Sequence, residues 1–255
     1  MKIKDACAVI TGGASGLGKA VAQHIVAAGG KVALLDVQEA PGQAAAKALG
    51  ANASFVRCDV TSESEVRAAM AAAKERMGSI NLLVNCAGVI GAGRLVGKTG
   101  PMPTEVFTRT IQINLIGTFH CDKEAAALMQ GNAPSEDGER GLLIHTSSVA
   151  AFEGQIGQVA YSATKAAVAG MALPIARELA GFGIRCVTIA PGIFRTPMVA
   201  GMTPELQESL GKQIPFPSRL GRPEEFAQLV ANIFELPFIN GETIRLDGAI
   251  RMQPK

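Results

Sequence analysis

Residues 6–36 read ACAVITGGASGLGKAVAQHIVAAGGKVALLD. The apolar run at 6–10 reads as a strand. A glycine-rich turn follows from Thr11 to Gly18, then a helix to about Ala28 with Val21, Ile25 and Val26 on one face. KVALLD, 31–36, is a second strand that ends in an acid. Together they make a βαβ unit with a glycine-rich first turn. Glycines let the backbone turn tightly and approach a pyrophosphate, and the helix N-terminus offers free N–H groups and a positive dipole to it. The glycines are spaced G-x-x-x-G-x-G, at Gly12, Gly16 and Gly18. Asp36 lies 18 residues after Gly18, where an acid bonds ribose hydroxyls and repels a 2′-phosphate. Neither Ser15 nor Val37 is basic. The unit therefore predicts dinucleotide binding, with NAD favoured over NADP.

The alternation continues along the chain. A helix is expected over 38–49 and a strand over 54–58. Asp59 and Val60 fall just past that strand, where they could bound an adenine ring and accept its amino group. Asp59 could equally be a turn or helix-cap residue. Thr61 or Ser62 can cap a helix that runs to Met77. INLLVNCAG, 80–88, is a continuous apolar strand suited to the middle of a parallel sheet, buried on both faces. Its small last residues, Cys86, Ala87 and Gly88, would let a cofactor lie close. Residues 91–101 form a glycine-rich loop, and a long helical region runs from Thr104 to Met129 with Asn114 in its middle. The neighbours Ile111, Ile113, Leu115 and Ile116 predict that Asn114 is buried, with a water or backbone carbonyl as its partner. Residues 131–141 read as a polar surface loop, and 183–192 as a buried strand ending in Pro191 and Gly192. From 193 to 220 an apolar, proline-punctuated segment with Phe194, Met198, Met202 and Phe216 reads as a lid, carrying Arg195, Lys212 and Arg219. Such a segment lies where ligands bind in open α/β sheets. A helix at 224–235 and a strand at 243–246 close the chain. There is no linker or composition break, so a single α/β domain is expected.

The chemistry centres on Tyr161, the only tyrosine, with Lys165 four residues later and Ser148 thirteen before. Residues at i and i+4 share one helix face. A phenol has a pKa of about 10, and a cation within about 4–6 Å lowers it. So tuned, it can take a proton from an alcohol or return one to a carbonyl. Ser148 follows the apolar strand GLLIHT and could hydrogen-bond the same oxygen. A Tyr-x-x-x-Lys pair alone is more often an ordinary helix surface; the dinucleotide unit beside it changes that reading.

The 255 residues carry 24 basic and 22 acidic side chains with no basic run, which argues against a nucleic-acid partner. No apolar stretch is read as approaching the roughly 20 residues of a membrane span. The N-terminus shows no h-region or presequence, so a cytoplasmic protein is expected, an organelle matrix remaining open. Cys7, Cys58, Cys86, Cys121 and Cys186 lack a C-x-x-C pair and read as buried fillers in a reducing compartment. His24, His120 and His145 show no ligand spacing, and no metal site is expected.

TGGASGLG, Asp36, Asp59-Val60, NCAG, Asn114, Ser148, Tyr161-x-x-x-Lys165 and Pro191-Gly192 resemble, in order and spacing, the short-chain dehydrogenase/reductase family over the whole chain. The resemblance implies a Rossmann-type doubly wound parallel sheet in three α/β/α layers. It implies Tyr161 as general acid/base, Ser148 polarising the substrate oxygen, Lys165 on the nicotinamide ribose and Asn114 holding a relay water. Thr196 would contact the nicotinamide amide, while Ser15, Leu17, Cys86 and Phe194 would line the cofactor. Longer segments, including SSVAAFEGQIGQVAYSATK, IPFPSRLG and NGETIRLDGAIRMQP, are similar to a branch of the family that oxidises 3-hydroxyacyl-CoA. That branch implies a homotetramer, NAD, short or branched acyl-CoA substrates in fatty-acid or branched amino-acid breakdown, and Gln155 as a substrate contact. Arg195 departs from it, standing where a small residue is expected; it could meet CoA phosphates or point to solvent, the second being favoured slightly. The competing readings are a hydroxysteroid or secondary-alcohol dehydrogenase, a 3-ketoacyl reductase, which Asp36 disfavours, and a cofactor-binding scaffold for a partner protein.

Overall fold

In the computed structural model, which describes residues 1–201 and 203–254, the expected strands assemble into one sheet. Met202, read above as part of the lid, and Lys255 lie outside the described residues. In chain order the strands are β1 (Cys7–Thr11), β2 (Lys31–Asp36), β3 (Ala53–Arg57), β4 (Leu82–Asn85), a short hairpin of β5 (Val96–Gly97) and β6 (Gly100–Pro101), β7 (Gly141–Thr146), β8 (Ile184–Pro191) and β9 (Thr243–Leu246). The main sheet runs β3-β2-β1-β4-β7-β8-β9 with every pair parallel. Its order reverses between β1 and β4, so the crevice for a ligand opens at their carboxyl ends.

A parallel sheet must bury both faces, and the strands are apolar at both parities. Ile10, Leu34, Val84, Ile144 and Ile189 face one way. They pack on α1 (Gly16–Ala27), α2 (Glu39–Leu49) and, later in the chain, the helix carrying Phe226, Val230 and Ile233. Val9, Leu35, Leu83, Leu143 and Cys186 face the other way. They meet α3 (Glu63–Met77) and the helices that follow β6: α4 (Thr104–Ile111), α5 (Gly117–Met129) and α6 (Val159–Leu179) border or cover that side. Past β8 come α7 (Pro197–Ala200), α8 (Pro204–Lys212) and α9 (Pro223–Glu235), the helix of Phe226. Truncating a fully buried Leu83 or Ile144 to alanine would cost about 2–5 kcal/mol.

Five details differ from the sequence reading. The strand expected over 80–88 pairs only over Leu82–Asn85, because the Cys86 and Ala87 amides turn onto the Thr11 hydroxyl, each at 3.1 Å. The glycine-rich loop holds the β5–β6 hairpin. The helix from Thr104 to Met129 is broken by a π-turn at Gln112–Ile116, where the Gly117 amide reaches back to the Gln112 carbonyl. The polar loop at 131–141 is not all surface. Glu139 is buried and accepts from the Met1 ammonium at 3.0 Å and from Arg185 Nε at 2.6 Å. Arg185 in turn donates to the carbonyls of Ile233, Phe234, Leu236 and Ile239, capping the end of α9. Lastly, the 24-residue segment Val159–Phe182 is, by length and composition, apolar enough to cross a membrane, contrary to the sequence reading; here one face of it packs on β7 and β8.

Candidate active site

The carboxyl ends of the central strands open into a cleft of ≈ 1270 Å³. Every site residue named from the sequence lines it except Asn114. One wall is the turn from β1 to α1. Gly12 has φ +63°, and a Cβ there would stand 2.9 Å from the Ala87 amide nitrogen. A Cβ on Gly18 would stand 2.6 Å from the Gly12 carbonyl oxygen. Only bare backbone fits this turn, so the chain passes close to anything lying in the cleft. Ser15 is extended at the helix N-cap and Gly16 follows with φ +53°. The first-turn amides of α1 have no intrahelical partner and carry the positive end of the helix dipole, which suits a pyrophosphate. Leu17 lies beside them.

Asp36 ends β2, 8% exposed, with each oxygen already engaged: Oδ2 accepts from the Ala14 amide at 3.1 Å and Oδ1 from the Gln38 amide at 3.0 Å. These bonds fix the carboxylate at the cleft wall. Asp59 spends Oδ1 on the Thr61 amide (2.9 Å) and hydroxyl (2.8 Å), so it is a turn residue as well as a cleft residue. Ser62, not Thr61, caps α3. Val60 packs against Gly117, where a Cβ would come within 2.6 Å of its methyl.

The remaining wall brings the reactive groups together. Lys165 is 6% exposed, and its Nζ donates to the Thr146 carbonyl at the end of β7 at 2.7 Å. The Ser147 hydroxyl donates to the Lys165 carbonyl at 2.7 Å, fixing α6 to the same strand end. Ser148 starts a short 3₁₀ turn and accepts from the Ala150 amide at 3.1 Å. Asn114 sits behind the cleft on the π-turn, 1% exposed. Its Oδ1 accepts from the Val89 amide (2.8 Å), and its Nδ2 donates to the Val89 carbonyl (2.9 Å) and the Thr164 hydroxyl (3.1 Å). The backbone-carbonyl partner expected for it is thus Val89. A Cβ on Gly88 would lie 3.2 Å from Asn114 Oδ1 and 3.5 Å from Lys165 Nζ, so Gly88 is the spacer between them.

Burial pushes the Lys165 ammonium down to about 8. It also raises the Tyr161 phenol, against which the hydrogen bond from Ser148 works. Lys165, expected to lower the Tyr161 pKa, turns its Nζ onto the Thr146 carbonyl and stands 5.7 Å from the tyrosine ring centre. Burial pushes the Cys86 thiol up to about 11, so it is a neutral lining group.

Beyond β8, Pro191 and Gly192 line the cleft, and a Cβ on Gly192 would stand 3.0 Å from Asp247 Cα. Phe194 is bridged to Gly221, and Thr196 lies over the first turn, within 3.6 Å of where a Gly16 Cβ would be. Arg195 is exposed and stands outside the cleft lining. Gln155 is tied to the C-terminal tail, donating to the Gln253 carbonyl at 2.9 Å, and Met252 of that tail also lines the cleft. Sequence reasoning missed Thr11, Thr146, Val89 and Thr164, which hold the named residues in place. Only Thr11 had a signal, at the head of the glycine turn.

Residues 6–207 match the profile of the family described as short chain dehydrogenase. A rat (Rattus norvegicus) protein named 3-hydroxyacyl-CoA dehydrogenase type-2 is 52% identical over 254 residues, covering 99% of this chain and 97% of its own. The Drosophila melanogaster protein of the same name is 51% identical, covering 99% and 100%. A crystal structure of 3-hydroxyacyl-CoA dehydrogenase type-2 from Mycobacterium avium superposes with a TM-score of 0.95 at 42% identity, over 99% of this chain and 98% of that one.

Proposed function

The chain belongs to the short chain dehydrogenase family, and from that premise we propose that it oxidises the 3-hydroxyl of short or branched 3-hydroxyacyl-CoA to the 3-ketone with NAD. It is an oxidoreductase acting on a hydroxyl group. The observation that carries the finer reading is the grouping of Ser148, Tyr161 and Lys165 in the same cleft as Asp36 and the glycine turn. The substrate class is supported by relatives about half identical over their whole length.

When bound, NAD supplies a cationic nicotinamide that accepts the hydride leaving C3. Ser148 and Tyr161 hold the substrate oxygen between them, and Tyr161 takes its proton as general base. Burial opposes the phenolate and the hydrogen bond from Ser148 favours it. Lys165 orients the cofactor ribose, and a water on Asn114 continues the proton's path outward. Asp36 would take the adenosine ribose hydroxyls and oppose a 2′-phosphate. Asp59 and Val60 would flank the adenine, and Cys86, Ala87, Gly88, Pro191, Gly192, Phe194 and Thr196 would enclose the nicotinamide half. Gln155 contacts the acyl substrate. Residues 193–220 cover it as a lid, to which Ile193, Val199 and Leu210 bring an apolar lining. The assembly we propose is a homotetramer, in which the apolar side chains that α5 and α6 leave exposed, Phe119 and Leu173, are covered.

The test is NADH formation from straight and 2-methyl-branched short 3-hydroxyacyl-CoA beside a hydroxysteroid, with NAD and then NADP. Fast turnover of the acyl-CoA with NAD is expected. Turnover of the steroid alone, or with NADP alone, would overturn the substrate or the cofactor reading. Sedimentation equilibrium tests the tetramer.

A further inference from the structure

Behind the cleft, on the α5 side, a row of polar side chains crosses four strands at one register. Thr11 on β1 pairs with Asn85 on β4, Asn85 with His145 on β7, and His145 with Thr188 on β8. All four are buried, His145 and Thr188 completely. Polar groups this deep are costly unless paired. Asp122, 4% exposed, reaches up from α5 to meet them. One carboxylate oxygen accepts from Asn85 Nδ2 at 2.9 Å, and the other lies 2.9 Å from His145 Nε2. Across the ring the Thr188 hydroxyl is 3.4 Å from Nδ1, while Cys186 Sγ is 3.7 Å from Nε2, the nitrogen that also faces Asp122. Asp122 favours the charged imidazolium against the opposing effect of burial and holds the His145 pKa well above its ordinary value.

What this row adjoins gives it a role. One residue past Asn85 begins Cys86-Ala87-Gly88, which lines the cleft, and Val89, which holds Asn114. One residue past His145 is Thr146, whose carbonyl anchors Lys165. At its other end, α5 follows directly on the π-turn that carries Asn114. We infer that Asp122 and His145 form a buried ion pair that acts as a positioning tie, locking α5 to the ends of β4 and β7 and so setting the spacing of Asn114 and Lys165 across Gly88. A buried pair adds little net stability over an apolar pair of the same size. What it adds is direction: the Asn85 bond to one carboxylate oxygen and the 2.9 Å ion contact of the other with His145, which lacks hydrogen-bond alignment, fix α5 lengthwise, whereas apolar packing alone is non-directional. The kinetic part of this inference rests on the dehydrogenase reading above; the ion pair itself does not.

The test uses the full chain and two independent readouts. Imidazole NMR of the wild type has only three histidines to resolve. His145 should still be charged at a pH where an ordinary imidazole has lost its proton, and its signals should move when NAD or NADP is added. A neutral ring, or signals indifferent to both dinucleotides, would overturn the tie. For kinetics, Asp122→Asn keeps the bond to Asn85 and removes the charge. The expected result is a fall in kcat of about tenfold or more, with KM for NAD within about twofold, since misplacement of catalytic groups acts on the chemical step. An unchanged kcat with a lowered melting temperature would make the pair merely structural. Should Asp122→Asn fail to fold, His145→Gln carries the same measurement. Should the wild type turn over no 3-hydroxyacyl-CoA, the substrate reading fails by itself, and the NMR arm still decides the tie.

Discussion

Lys165→Met removes a charge from a place where the side chain barely meets solvent, and its effect on stability can be worked out. Burial lowers the folded-state pKa from 10.5 to about 8. Below pH 8 both the folded and the unfolded chain hold the proton, and the folded protein bears the whole cost of burying it. Between 8 and 10.5 the unfolded chain holds a proton that the folded chain has released, so stability rises with pH. The full difference is about 3 kcal/mol, of which about 1 is recovered by pH 9 and about 2 to 3 by pH 10. Methionine has no proton to lose. The wild-type stability minus that of Lys165→Met should therefore climb by about 2 to 3 kcal/mol from pH 7 to pH 10. Tyr161 and the other thiols titrate in both proteins and cancel, and Cys86, which feels Lys165, is held up at about 11, above this range. Loss of the bond to the Thr146 carbonyl offsets the whole curve without changing its slope. With no tryptophan and one tyrosine, the assay is urea unfolding followed by far-ultraviolet circular dichroism at each pH. A difference flat to about 0.5 kcal/mol across that range would mean that Lys165 is not held as a costly buried ammonium.

Tyr161→Phe should lower kcat by about 10²–10⁴ while the dissociation constant for NAD stays within about twofold; retention of more than about a tenth of the activity would remove Tyr161 as the acid/base. Because Tyr161 is the only tyrosine, phenolate absorbance reports it alone, and its midpoint without cofactor should lie above 10; a lower midpoint contradicts the burial. Asp36→Asn keeps an acceptor for one of the two amides and removes a charge worth about 4 kcal/mol against a phosphate 4 Å away at an effective dielectric of 20. The ratio of kcat/KM for NADP over NAD should rise by about 10²–10³, and an unmoved ratio would show that discrimination lies elsewhere. Gly12→Ala forces a side chain into φ +63° and to 2.9 Å from the Ala87 nitrogen. It should cost about 1–3 kcal/mol and weaken NAD binding; a variant as stable as wild type would refute the close approach.

The fold was legible because its signals are local. The continuous apolar strands, the glycine turn and the acid ending β2 each depend on a few neighbouring residues, and each is present, the 80–88 strand in shortened form. The cleft was legible for a related reason. In a parallel sheet the strand ends converge, so Asp36, Cys86, Ser148 and Pro191 share one edge once the strands are known. What stayed hidden depends on distant partners. Nothing near Glu139 announces Arg185 or the N-terminal amine. Nothing near His145 announces Asp122 on a helix many residues earlier. The π-turn escaped because its sequence, QINLI, is as compatible with an α-helix, and only packing on both sides enforces the extra residue. The direction of the Lys165 ammonium escaped as well: i and i+4 spacing puts it under Tyr161, but the Thr146 carbonyl claims its proton.

That π-turn has a consequence for how the chain can change. It is a phase slip of one residue between two helices committed to different tasks. Before it, Glu105, Thr108 and Arg109 present one stripe to the cleft. After it, Cys121, Ala125 and Met129 present another to the core. Its wider turn takes up one extra residue, so both stripes keep their facing. Deleting one residue from Gln112–Ile116 would let an ordinary α-helix close with both stripes nearly where they are. What would be lost is the bulge that carries Asn114 to Val89. The extra residue therefore serves the cleft rather than the core, and its removal should be felt in turnover before it is felt in stability.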